Sequence, residues 1–115
     1  MLGWLVAKPL RHITMLSDLT TPEAVALGPL IQRVAAALGQ VLRPEKVYSV
    51  LFSEQREFSH IHFHLIPRPA DLPTELRGPG VFRLLERARI DGNLADPSHA
   101  AAVAARISAL LRSNG

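Results

Sequence analysis

The sequence of 115 residues contains no cysteine and few aromatic side chains, with one Trp, one Tyr and four Phe. The absence of cysteine excludes disulfides and thiolate metal ligands, and it agrees with the cytoplasmic location that we expect. The scarcity of aromatic rings argues against a stacking platform for RNA, so we expect no nucleic-acid partner.

The chain also lacks long apolar runs and any strong excess of charge. No run approaches 18 apolar residues, and the start MLGWLVAKP has neither the basic residues nor the cleavage site of a signal peptide, so we expect no membrane association. The net charge of +3 is small. It is consistent either with binding of a phosphate-bearing ligand or with positive residues that simply face solvent. With 48% hydrophobic residues, residues 1–115 are expected to form a single domain.

Three segments have the composition of strands and one long segment has the pattern of a helix. The predicted strands are GWLVAK (3–8), KVYSVLF (46–52) and HIHFHLI (60–66), the last ended by Pro67. Thr20 or Thr21, followed by Pro22 and Glu23, marks the start of a helix that continues to Pro44. Gly28–Pro29 predicts a kink in this helix or a later start.

Residues 69–115 are predicted to form a loop followed by helices. The segment 69–80 is rich in proline and glycine, VFRLLERA predicts a helix, and Asp96–Pro97 opens a final helix with an apolar stripe at Val103, Ile107, Leu110 and Leu111. The whole pattern indicates an α+β fold: a small antiparallel sheet, a long helix and C-terminal helices. Because a small sheet with exposed edges is marginal alone, we expect a homodimer.

The stretch HIHFH, residues 60–64, is the most informative in the chain. In a strand His60, His62 and His64 share one face, about 6.5–7 Å apart, and can surround one small anionic group. Such a row suits nucleotidyl transfer with a histidine nucleophile, or metal binding, or it is incidental. Glu54 and Glu57 are the only acids between Ser49 and Pro69. This shortage of acidic partners disfavours a metal site, and we expect no metal or cofactor.

These histidines also carry a family resemblance. HIHFHLIPR resembles the His-φ-His-φ-His-φ-φ signature of the histidine triad (HIT) family, in which φ is apolar. Upstream, GWLVAKPLRHITMLSDLTTPEA resembles the strand, the Lys-Pro turn, the further histidine (His12) and the helix of that family. The resemblance covers about residues 3–68 and implies a small α+β homodimer. It implies cleavage of dinucleoside polyphosphates or nucleoside phosphoramidates through a covalent nucleotidyl-histidine.

The resemblance also assigns roles to residues. It implies that His62 is the nucleophile, that His64 binds phosphate oxygens, that His60 orients His62, and that His12 supports the site. We further expect Arg68, which continues the strand parity of the histidines, to contact phosphate.

The sequence departs from the family pattern ahead of the triad. Arg56 and Glu57 stand where many members have Gln and Ser or Thr, and Gln55 or Ser59 is a candidate substitute. A nucleotide-binding or interaction module with little turnover is therefore the alternative to an enzyme.

Overall fold

The described residues form three strands, with a long helix between the first two strands and two further helices after the third. The structure is a computed structural model that describes residues 3–52, 54, 60–91 and 96–113, with only the backbone described at 88–91. Within these residues the order is β1 (Leu5–Ala7), α1 (Thr21–Leu42), β2 (Lys46–Val50), β3 (Phe63–Arg68), α2 (Phe82–Asp91) and α3 (Pro97–Ser113). Short 3-10 turns lie at 16–18, 74–76 and 78–81. The predicted α+β fold is confirmed.

The strand that carries the histidine segment lies in the middle of the sheet. The strand order is β1–β3–β2, and both pairings are antiparallel. Leu5 lies opposite Leu65 in one pairing, and Val50 lies opposite His64 in the other. The predicted antiparallel sheet is confirmed, with β2 on one side of β3 and β1 on the other.

The predicted bounds of the histidine strand, 60–66, are wrong at both ends. The regular strand starts only at Phe63, because residues 60 and 61 bond to the turn after β1, where Ile61 N donates to the Ile13 carbonyl. At the other end β3 passes through Pro67 to Arg68. Since β1 pairs only residues 63–65, Pro67 has β2 as its single strand neighbour, and proline is tolerated at such an edge position.

Helix α1 starts where the sequence predicted and then continues through its internal proline. Thr20 caps it in a capping box with Glu23, and the helix then runs unbroken from Thr21 to Leu42. The alternative of a late start at Gly28–Pro29 is therefore wrong. Val25 and Pro29 both lie on the exposed face of the helix, so the carbonyl that proline leaves without a donor can bond to water.

The two faces of the sheet are covered by different parts of the chain. On one face, Leu65 packs with buried residues of α1 and α3: Val34, Ala37, Leu38, Val103 and Ile107. On the other face, Ile66 packs with the segment after β3, through Leu72, Leu76 and Val81. Because side chains alternate along a strand, His64 lies on the second face with Ile66.

Helix α1 is long and apolar enough to cross a membrane, with a mean hydropathy of 1.4 over its most apolar window. A single helix of this kind is weak evidence, because core helices of soluble proteins meet the same criterion. In this fold the C-terminal half of α1 packs on the sheet through Val34, Ala37 and Leu38.

Candidate active site

One ring nitrogen of His62 forms a hydrogen bond to the backbone, and the other does not take part in that bond. Its Nδ1 lies 2.9 Å from the backbone carbonyl of His60. A carbonyl oxygen only accepts, so Nδ1 of His62 carries the proton and donates it. In the neutral ring this leaves a lone pair on Nε2, for which the described residues supply no hydrogen-bond partner. The local backbone thus fixes the tautomer that a nitrogen nucleophile needs.

His60 uses both of its ring nitrogens to bind the turn that follows β1. Its Nε2 lies 2.9 Å from the Pro9 carbonyl, so Nε2 donates, and its Nδ1 accepts from the backbone N–H of Ile13 at 3.2 Å. This pattern requires the neutral ring with its proton on Nε2. The ring of His60 therefore connects its own segment to the turn at Ile13, 47 residues earlier in the sequence. The backbone carbonyl of His60 orients the ring of His62.

His64 stands beside His62 inside an aromatic enclosure. The rings of His62 and His64 lie 4.9 Å apart, and the ring of Phe82 meets His64 edge to face at 5.2 Å. The indole N–H of Trp4 donates to Nδ1 of His64 at 2.9 Å. Because this nitrogen accepts, the proton of neutral His64 lies on Nε2, where it can be donated to a phosphate oxygen. Burial and, second, the neighbouring His62 lower the pKa of His64.

His12 and Arg68 have different places relative to the triad. The exposed ring of His12 stacks on His60, with ring centroids 5.0 Å apart and planes 14° apart, so His12 joins the histidine cluster. Arg68 is buried at the other end of β3, about 13 Å along the strand from His64. Its guanidinium pairs with Glu45 at 2.8 Å, and the structure does not bring it to the histidines.

The remaining candidates ahead of the triad lie outside the described residues. These are Gln55, Arg56, Glu57 and Ser59, so their proposed roles at the phosphate stay predictions.

The turn that carries Pro9 and His12 is anchored to α1, because Arg11 pairs with Glu23 at 2.7 Å and also donates to the carbonyl of Asp18. The hydrogen bond from Arg11 lowers the pKa of Glu23 to about 2.

The donor pattern of the three histidines limits how many of them can bind one metal ion. Both nitrogens of His60 bond to backbone groups, and one nitrogen each of His62 and His64 is also engaged. Within the described part of the chain no three His, Cys, Asp or Glu side chains form a metal-binding group. A catalytic zinc site commonly uses three protein ligands, whereas the triad offers two imidazole nitrogens.

Comparison with known proteins decides the family. The sequence profile of the HIT domain matches residues 4–71, which is more than half of the chain. This protein belongs to the HIT family. The match begins at Trp4 and ends just beyond β3, so it includes the turn, α1 and all three histidines. In this HIT protein the residues after the match form the second cover of the sheet, which contributes Phe82 to the site.

A solved structure supports the same assignment. The fold is similar to the crystal structure of a Hit-like protein involved in cell-cycle regulation from Bartonella henselae, with a TM-score of 0.53 and 26% sequence identity. The similarity covers 64% of this chain and 61% of that one, so the chain spans less than two thirds of that protein. A search of curated protein sequences finds no significant match.

Sequence reasoning missed the connection between Trp4 and the triad. No local pattern in the sequence links Trp4 or Phe82 to a histidine. The signal was weak, because the contact joins residues 60 apart in sequence and depends on the register in which Leu5 lies opposite Leu65. Once that register is known, Trp4 lies on the same face as His64.

Replacing Trp4 by phenylalanine is expected to raise the pKa of His64. The indole N–H faces Nδ1 and opposes a second proton there, and phenylalanine keeps an aromatic ring without that donor. An NMR titration of the histidine ring signals in wild type and Trp4→Phe measures the change, with exposed His99 as internal control. An unchanged pKa of His64 would show that the indole bond does not control its protonation.

The same titration affects folding stability in the wild type. Because the pKa of His64 is lowered in the folded protein, the unfolded chain binds more protons below the ordinary histidine pKa of about 6.5. The contribution of neutral His64 to the free energy of unfolding is therefore present above about pH 6.5 and is lost as the pH falls toward its folded pKa. The Trp4→Phe protein should show a weaker pH dependence over this interval.

Proposed function

We propose that this HIT protein is a nucleotide hydrolase or transferase that works through a covalent nucleotidyl-histidine. The observation that carries the proposal is the bond from His62 Nδ1 to the His60 carbonyl, which leaves Nε2 as the nucleophilic nitrogen. Proposed substrates are dinucleoside polyphosphates and nucleoside phosphoramidates, cleaved at the α-phosphate. Membership of the HIT family supports this class of reaction.

In the proposed first step, His62 Nε2 attacks the α-phosphorus and forms a P–N bond. The leaving group departs with the electron pair of the broken P–O or P–N bond and takes up a proton. The His60 carbonyl stabilises the positive charge that develops on the His62 ring, because it accepts the Nδ1 proton. His64, with its proton on Nε2, donates to a phosphoryl oxygen on which negative charge increases.

In the proposed second step, water attacks the same phosphorus and the P–N bond to His62 breaks. The bonding pair returns to Nε2, and nucleoside monophosphate is released with one proton. The ring of His60 is hydrogen-bonded to the backbone of Pro9 and Ile13, and these bonds keep the His60 carbonyl in place through both steps. His12, stacked on His60, supports this arrangement at the exposed side.

A panel of substrates tests the proposal. Purified protein should release nucleoside monophosphate from adenosine and guanosine phosphoramidates or dinucleoside polyphosphates, with undiminished rate when a chelator is present. Acid quenching during turnover should trap label from the α-phosphate on the protein. If no substrate is turned over while calorimetry still detects nucleotide binding, the chain is the binding module that forms the alternative.

We also propose that the protein is a homodimer in the cytoplasm. The support for a dimer is the open side of β2, an edge strand of five residues whose only strand neighbour in the described chain is β3. Light scattering coupled to size-exclusion chromatography measures the assembly, and a monomer at micromolar concentration would contradict this part of the proposal.

A further inference from the structure

The ring of His60 accepts a hydrogen bond that only a neutral imidazole can accept. Its Nδ1 is the acceptor for the backbone N–H of Ile13 at 3.2 Å, while its Nε2 donates to the carbonyl of Pro9 at 2.9 Å. In an imidazolium both ring nitrogens carry protons, so neither has a lone pair with which to accept. A proton added to His60 would therefore meet the N–H of Ile13. The contact with Ile13 thus exists in only one protonation state of His60.

Loss of this contact would be local, because Ile13 has a second bond to the same segment. Ile13 is buried, and a buried backbone N–H that loses its acceptor is unfavourable. Its carbonyl accepts from the backbone N–H of Ile61 at 2.9 Å, and this bond does not involve a titratable group. Protonation of His60 would therefore free the ring from Ile13 while Ile61 keeps the turn attached.

The groups around His60 offer no partner for a positive charge on its ring. The charged and titratable residues of its own segment, of the turn after β1 and of the start of α1 are Lys8, Arg11, His12, Asp18, Glu23 and His62. His12 stacks on the ring of His60 at 5.0 Å and can itself become positive. The carboxylate of Glu23 is already paired with Arg11 at 2.7 Å. The ion pairs of the described chain do not include His60.

The protonation state of His60 also affects the nucleophile of the proposed reaction. The backbone carbonyl of His60 accepts the Nδ1 proton of His62 at 2.9 Å, and this bond leaves the lone pair of His62 on Nε2. When the ring of His60 leaves Ile13, the residue loses a contact that fixes this carbonyl. A charged ring two residues away also opposes the positive charge that develops on His62 during attack. Acid therefore acts on the attack through His60, in addition to direct protonation of His62.

We propose that His60 is a pH-sensitive positioning residue: its protonation breaks the contact with Ile13 and removes the orientation of His62. This inference rests on the proposed function, because it adds a regulation of the same site. The two states differ by one proton, which solvent supplies to Nδ1 of His60. The neutral ring holds the histidines in the arrangement that attacks phosphorus, and the charged ring releases it.

The first test follows the backbone amide of Ile13 by NMR as the pH is lowered from about 7.5, one unit above the ordinary histidine pKa. This amide is a direct reporter, because it donates to His60 itself. In wild type the Ile13 amide and the ring signals of His60 should change at one shared pH, while circular dichroism shows that the protein is folded. His60→Asn keeps a carbonyl oxygen and an amide N–H but does not titrate, so the change at Ile13 should disappear.

Two further variants separate His60 from its neighbours. His12→Asn removes the stacked ring and His62→Ala removes the bonded one, and in both proteins the Ile13 amide should still change together with His60. A change at Ile13 that is lost in either variant, or that persists in His60→Asn, overturns the proposal. So does a wild-type His60 ring that stays neutral until the protein unfolds, or that takes up its proton while the Ile13 amide stays constant. These comparisons decide the question even if His60→Asn does not fold.

A pH profile of turnover connects the contact to the reaction. The acid limb of kcat/KM reports the protons that inactivate the free enzyme. Because His60 and His62 each take up one such proton, the slope of log kcat/KM against pH should be steeper by about one in wild type than in His60→Asn. His99→Asn, at an exposed residue of α3, is the matched control and should keep the wild-type slope.

The two measurements separate this proposal from the proposed function. If the protein turns over no substrate while Ile13 and His60 still titrate together, the pH-dependent contact stands and the enzyme proposal fails. If turnover is present and the slopes of wild type and His60→Asn are equal, the enzyme proposal stands and the role of His60 as a pH-sensitive positioning residue is refuted.

Discussion

Replacing His62 by alanine is expected to lower turnover of nucleoside phosphoramidates and dinucleoside polyphosphates at least about a thousandfold, the scale on which loss of a nucleophile affects covalent enzymes. The reason is that, in the proposed mechanism, Nε2 of His62 forms the bond to phosphorus, and the bond from Nδ1 to the His60 carbonyl orients this ring. His62 is only half-buried, and its removal should leave the fold intact. Steady-state kinetics and a thermal unfolding curve on the same preparation measure both effects.

The matched control for this prediction is His99→Ala. His99 lies exposed near the start of α3, and its removal should change turnover by less than about twofold, the scale of surface substitutions. A second arm uses His62→Gly with added imidazole, which can fill the space of the lost ring and attack phosphorus itself. Recovery of part of the rate would identify the imidazole as the reacting group. Wild-type turnover by His62→Ala would refute the assignment.

Replacing Leu38 by alanine is expected to lower the free energy of unfolding by about 2–5 kcal/mol. Leu38 is fully buried between α1 and the sheet and belongs to the cluster that contains Leu65, the residue next to His64. The substitution removes apolar contacts and leaves a cavity that neighbouring side chains fill only in part. Urea unfolding followed by circular dichroism measures the change.

The control for Leu38 is the same substitution on the same helix. Replacing Leu30, which is 42% exposed, by alanine should lower the free energy of unfolding by less than about 1 kcal/mol. The effect is small because little apolar surface is taken from the core and alanine favours the helix. Similar losses at the two positions would mean that α1 does not contact the sheet as described. The comparison tests the packing independently of any activity.

The part of the site that follows from local sequence was predictable. The likeness of HIHFHLIPR to the HIT signature predicted the family, which the profile match confirms, whereas the period of two holds in a regular strand only from Phe63 onward. The capping box at Thr20 and the apolar stripe of α3 were predictable for the same reason, since their signals lie within a few residues.

The part that depends on contacts between distant segments was not predictable. His60 leaves the strand because its ring bonds to Pro9 and Ile13, and no local pattern marks that contact. Arg68 keeps the parity of the histidines, yet it pairs with Glu45, the residue just before β2, and lies away from them. Trp4 and Phe82 reach His64 only through tertiary packing, which single-sequence periodicity does not encode.

The sheet order β1–β3–β2 has a consequence for how the chain folds as the ribosome makes it. The central strand is the last of the three to be synthesised, so β1 and β2 have no strand to pair with until residues 63–68 have emerged. The nascent chain can form α1 earlier, because helical contacts are local. A chain released before β3 would therefore lack the sheet and the contacts that His64 makes with Trp4, His62 and Phe82.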